Sequence, residues 1–89
     1  MSNLWGLDVQ QVRALATAMD READLIDVIQ SRLTDLIADT RWVGPDANQF
    51  RSDWAVAHST GLHKVSRGLR DAAQLARVSA TAQEQSSQF

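Results

Sequence analysis

His58 and His63 flank Ser59 and Thr60, which brings bases and hydroxyl nucleophiles close together in the chain. A metal-binding pair on a helix needs a spacing of three or four residues; five residues put the two imidazoles on different faces. Ser59 and Thr60 have no positioned acid to complete a triad, and nothing nearby supplies a rigid pocket. His58 falls near an apolar stripe and reads as a hydrogen-bonded packing histidine, with a pH-sensitive seam as the alternative. His63 points away from that stripe and reads as solvated. Asp20, Asp24, Asp27 and Asp35 gather on the outer face of the first helical pattern. They lack the alternating spacing and central glycine of a calcium loop and read as a solvated face. With no cysteine in the chain, neither a disulfide nor a thiolate metal site is available. The expectation is a protein that is not an enzyme, with no catalytic residue, no metal site and no cofactor.

Charge narrows the partners. The net charge of −2 gives no general attraction to nucleic acid or to anionic membranes. Residues 8–39 hold seven acids and three bases, whereas 45–83 hold three acids and five bases. Arg67, Arg70 and Arg77 fall on the back of the second arm beside His63. They suit the orientation of an acidic partner helix better than a phosphate backbone, and a plain solvated face better than either.

Two long amphipathic patterns position these residues. Asp8 is an N-cap, with Gln11 completing a capping-box spacing. Apolar residues then recur at heptad spacing through Val12, Leu15, Met19, Ile26, Ile29, Leu33 and Leu36, and neither Gly nor Pro interrupts 7–40. The pattern predicts a helix over 8–40. Ala14, Ala18, Leu25 and Val28 widen its apolar face beyond what one sister helix covers. A second stripe runs through Ala47, Phe50, Trp54, Ala57, Gly61, Val65, Leu69, Ala72, Ala76 and Ser79. It predicts a helix over 45–83, followed by a frayed polar tail at 84–89. The hairpin seam is expected through Leu15, Met19, Ile26, Leu33, Phe50, Trp54, Val65 and Leu69. A dimer interface is expected at Ala18, Leu25, Val28, Ile29 and Leu36.

Between the arms, residues 41–44 form the turn. Pro45 suits the first helical position, where its missing N–H costs nothing. Gly44 supplies the backbone freedom of a short connection. Trp42 is expected to cap the open end of the seam. The whole chain therefore reads as one all-α domain, an antiparallel helix-turn-helix hairpin. At 89 residues such a hairpin exposes much apolar surface, so a partner chain is expected, giving a four-helix bundle.

Trp42-x-Gly44 at the midpoint, Pro45-Asp46-Ala47, then Phe50 and Trp54 make the chain resemble the WXG100, or ESAT-6-like, family of type VII secretion. The local string looks especially like actinobacterial members. The resemblance implies a small protein-interaction module that pairs with itself or with a second WXG100-like protein. It implies secretion without a cleavable signal peptide, driven by the secretion ATPase, as a dimer or as adaptor for a larger effector. Family members often carry a Tyr-x-x-x-Asp/Glu export cue after the second helix. This chain has no Tyr. Glu84 stands at the acidic position and Ala80 at the aromatic one, which puts the cue on a partner or makes this chain a carrier recognised through its complex. A membrane-active secreted effector is the alternative, weakened by polar faces poor in Lys and Arg. No nucleic acid and no stable membrane insertion are expected. The longest unbroken apolar run, Trp54-Ala55-Val56-Ala57, is too short to span a bilayer.

Overall fold

The computed structural model describes residues 8–86, and these are helical apart from Asp8 and the connection at 40–44. The first arm is α1 (Val9–Asp39). The second comprises α2 (Pro45–Asp53), a π-helical turn (Trp54–His58) and α3 (Ser59–Ser86). The Asp8 carboxylate accepts the Gln11 backbone N–H at 3.0 Å and caps α1 as its sequence implies. α1 packs antiparallel along α3 and scarcely touches α2, in a rod of 67 × 16 × 15 Å. The second arm reaches Ser86, so residues 84–86 of the expected frayed tail are helical; residues 87–89 lie outside the described ones.

The seam is built from small side chains. Ala16, Ala23, Ala73 and Ala80 are fully buried, and Ser66 is buried on the same line. Their seven-residue spacing lets two backbones approach closely along the rod. The cost is a thin interior. A buried alanine removes about one methyl from water, worth roughly 0.8 kcal/mol, against about 1.5–3 kcal/mol for a buried Leu or Ile. Among the described residues no large side chain is fully buried.

That line differs from the expected one, and the π turn is the reason. Continuing the α2 face through Ala47, Arg51 and Trp54 at α-helical pitch leads to Gly61, Val65, Ala72 and Ser79. The observed inward residues are Leu62, Ser66, Ala73 and Ala80, each one position later. The Ser59 backbone N–H donates to the Trp54 carbonyl, five residues back, and absorbs one extra residue. Side chains from α1 hold the detour at both ends. The Trp54 indole N–H donates to Thr34 Oγ1 at 2.9 Å, and the Gln30 amide donates to the Ser59 hydroxyl.

The connection is also looser than a tight turn. Gly44 takes φ +118°, a conformation that side-chain-bearing residues rarely adopt, and Pro45 follows at the first helical position. Arg51 ties the strap down, donating to the carbonyls of Trp42 at 2.8 Å, Thr40 at 3.0 Å and Ile37 at 3.4 Å. This guanidinium supplies the positive charge that the last turn of α1 lacks.

Two outcomes follow from the backbone. Gly44→Val should lower stability by about 1–3 kcal/mol, because its φ disfavours a β-branched residue; a thermal melt matching wild type would contradict the assigned conformation. Deleting Ala57 should leave a continuous α-helix with the seam in phase. Circular dichroism and denaturant melts should therefore show stability equal to or above wild type. Deleting Ala76 instead should cost more, since it turns the helix end by about 100° with no detour to absorb it.

Candidate interaction face

The two long sides of the hairpin differ in chemistry. One carries ion pairs between the arms: Arg13–Glu84 at 3.0 Å, Asp20–Arg77 at 2.6 Å, and Arg70 with both Asp27 at 2.6 Å and Asp24 at 2.9 Å. The acids at 20, 24 and 27 are thus not a free solvated face. Arg70 and Arg77 are likewise engaged within the chain and do not form an open basic stripe. Pairs this exposed are screened by solvent and contribute little to stability one by one. Their value lies in fixing which side of α3 faces which side of α1.

Asp27 accepts from two side chains in this network. The Ser66 hydroxyl and then the Arg70 guanidinium hold its carboxyl below the ordinary value. The same hydroxyl lies 3.2 Å from the His63 carbonyl. One proton serves one acceptor at a time, and the charged carboxylate is the stronger. Glu84 is also held low, by hydrogen bonding to Arg13 and then by its charge. A shallow open hollow lined by Asp27, His63, Ser66, Arg67 and Arg70 lies along this side. No group of His, Cys, Asp and Glu among the described residues could hold a metal ion.

The opposite side is apolar. At about 100° per residue, Val12, Met19, Ile26 and Leu33 stand next to the alanine line on α1, with Leu15, Ile29 and Leu36 a quarter turn from it. Leu62, Leu69 and Ala76 are their counterparts on α3, with Val65 and Ala72 beyond. The half-buried members are Val12, Met19, Ile26, Leu62, Leu69 and Ala76. Leu15, Leu25, Ile29 and Leu36 remain 49–54% exposed, and Leu33 39%. Of the expected seam, Met19, Ile26, Trp54 and Leu69 are half-buried, whereas Leu15, Leu33, Phe50 and Val65 are exposed. These last four lie beside the seam and not in it, because alanines already fill the line of closest approach. Ile29 and Leu36, from the expected interface, are exposed on this apolar side, while Ala18, Leu25 and Val28 are exposed on the back of α1.

At the connection, Trp42 is 43% exposed and does not close the seam. Its ring leans on Phe50, with centroids 5.6 Å apart. His58 is exposed within the π turn and tilts against Trp54 at 6.4 Å. It is therefore not a packing histidine. Ala80, aligned by resemblance with an export-cue aromatic, is fully buried in the seam, and Glu84 is committed to Arg13.

The surface area carries the same message as the packing. The chain exposes 6723 Å². A compact monomer of 9.8 kDa exposes about 5,200 Å², leaving an excess of roughly 1,500 Å². A stable protein interface takes about 800 Å² from each partner. No helix among the described residues is long and apolar enough to cross a membrane. In comparisons with protein-family models, with characterised proteins and with solved structures, nothing matches this chain.

The ion-pair side generates a pH prediction. Asp27 and Glu84 have folded values below their unfolded ones, so their stabilisation is present above the ordinary carboxylate range and is lost as pH falls through the folded values. Wild type should melt progressively lower below about pH 4. The double variant Asp27→Asn, Glu84→Gln should start lower at pH 7 and decline less. Parallel curves for the two proteins would contradict the pairing.

Proposed function

We propose that this chain is a small protein-interaction module of the WXG100 type, serving type VII secretion as an exported dimer or as the adaptor of a larger effector. The observation that carries the proposal is the interior of small side chains, alanines with Ser66, beside an uncovered aliphatic side. A hairpin that fully buries no large side chain among its described residues supplies half of a core, and the other half comes from another chain. The Trp42-x-Gly44 motif, the paired long arms and the absence of cysteine support the secretion context by resemblance. Burial of Ala80 and pairing of Glu84 support placing the export cue on the partner, since these positions serve the hairpin itself.

The test is secretion from a bacterium with a type VII system, compared with the same strain whose secretion ATPase is inactive. Wild type should reach the medium only when the ATPase works. Ile29→Asp with Leu36→Asp should stay inside the cell, at least about tenfold depleted from the medium, because two charges on the uncovered side prevent assembly. Both substituted positions are exposed, so circular dichroism should still show a helical protein. Export of the double variant at wild-type level, or export without the ATPase, would refute the proposal.

A further inference from the structure

We infer that the second arm of the hairpin has two packed phases and that the π turn is the device that exchanges them. In the second phase the stretch from Trp54 to Ser59 is ordinary α-helix, and His58, Val65, Ala72 and Ser79 take the places of Ser59, Ser66, Ala73 and Ala80. Such a switch belongs to the single chain and stands apart from its proposed role in secretion.

The π turn holds one residue more than an α-helix needs. Returning it to α pitch moves every later residue by one place, a rotation of about 100° and a shift of about 1.5 Å. The line that faces inward in the structure is Ser59, Ser66, Ala73 and Ala80, half-buried or buried and seven residues apart. One place earlier runs a second line of the same spacing, His58, Val65, Ala72 and Ser79, all exposed. Val65, Ala72 and Ser79 are small enough to fill the same close seam. His58 arrives opposite Gln30 in place of Ser59, where an imidazole nitrogen can take over the hydrogen bond. The glycines fit the second phase as well. A Cβ built on Gly61 or Gly68 meets nothing within 4 Å, and both lie inside a helix, where glycine is a poor choice. The second phase puts them in the places now held by the half-buried Leu62 and Leu69, so the α3 half of the apolar side becomes a trough.

The ion pairs hold the observed phase. Arg70, Arg77 and Glu84 stand seven residues apart, so one rotation of α3 breaks their pairs with Asp24, Asp27, Asp20 and Arg13 together. Burial of Leu62 and Leu69 adds to that side of the balance, whereas the exposed Val65 and the rarely adopted π geometry favour the other. A group that draws Arg70 and Arg77 off their aspartates therefore opens the trough on the opposite flank of the rod.

The chain has no cysteine, so an introduced pair reports one phase. The Ser66 hydroxyl hydrogen-bonds the Asp27 carboxylate, which puts Asp27→Cys with Ser66→Cys within disulfide reach in the observed phase. Val65 takes that place only in the second phase. Arg67 lines the same hollow as Asp27, so Asp27→Cys with Arg67→Cys measures ordinary breathing of the observed phase. Under dilute oxidant the 27/66 pair should close fastest, and the 27/65 pair should close about tenfold faster than 27/67. Deleting Ala57 removes the spare residue, so 27/66 should still close while 27/65 falls to the 27/67 rate or below. Arg77→Gln should raise the 27/65 rate relative to 27/67 by about threefold or more. General loosening of a variant raises both rates and does not imitate these ratios. A 27/65 pair that closes no faster than 27/67, or that the deletion leaves unchanged, overturns the two-phase inference; an Arg77→Gln ratio equal to its parent's overturns the ion pairs as its lock.

Discussion

The spacing between the two arms is the constraint from which the rest follows. Ala16, Ala23, Ala73 and Ala80, with Ser66, occupy the line of closest approach and are small enough to bring two backbones together over the length of α1. Close approach leaves no room between the arms for leucine or isoleucine. The large aliphatic residues of α1 are therefore displaced to one side, where they are half-covered or exposed. The hairpin holds its shape with backbone proximity and a row of ion pairs, and within the single chain its large aliphatic residues on that side stay half-covered or exposed.

Sidedness is maintained by polar contacts. Arg13, Arg70 and Arg77 reach across the seam on one flank only, so rotation of α3 about its axis would break every one of them. At the other end of the seam, Gln30 and Thr34 hold Ser59 and Trp54 five residues apart, a separation that an α-helix cannot keep on one face. The π turn is the consequence. It converts the phase set by α2 into the phase required by the alanine line of α3. Arg51 completes the frame by joining the last carbonyls of α1 to α2.

Much of this was legible in the residues, for identifiable reasons. Asp8 with Gln11 marked the start of α1, and Gly44-Pro45 marked the start of the second arm, because capping and φ preferences are local. All-helical architecture and antiparallel arms followed from heptad spacing uninterrupted by Gly or Pro in the first arm. The seam was harder. Hydrophobic periodicity locates a wide apolar face but does not say which line within it lies closest to the neighbour. Here small residues won over large ones, so Leu15 and Val65 were displaced. Ala16 with Ala23 and Ala73 with Ala80, each pair seven residues apart, carry the signal of the true seam in the sequence. The one-position phase shift was hidden because Trp54 and Ser59, five apart, matter only once Gln30 and Thr34 are opposite them. The ion pairs were equally hidden: Asp20, Asp24 and Asp27 look like a solvated row until α3 is placed beside them.

The proposed function requires that this chain complete its interior by assembling. The most direct measurement is the thermal midpoint as a function of protein concentration. If folding of the apolar side is coupled to association, the midpoint should rise continuously as concentration increases from nanomolar to micromolar, by mass action. A midpoint independent of concentration across that range, in a species that sediments as a 9.8 kDa monomer, would show that the alanine seam is sufficient and would contradict the account.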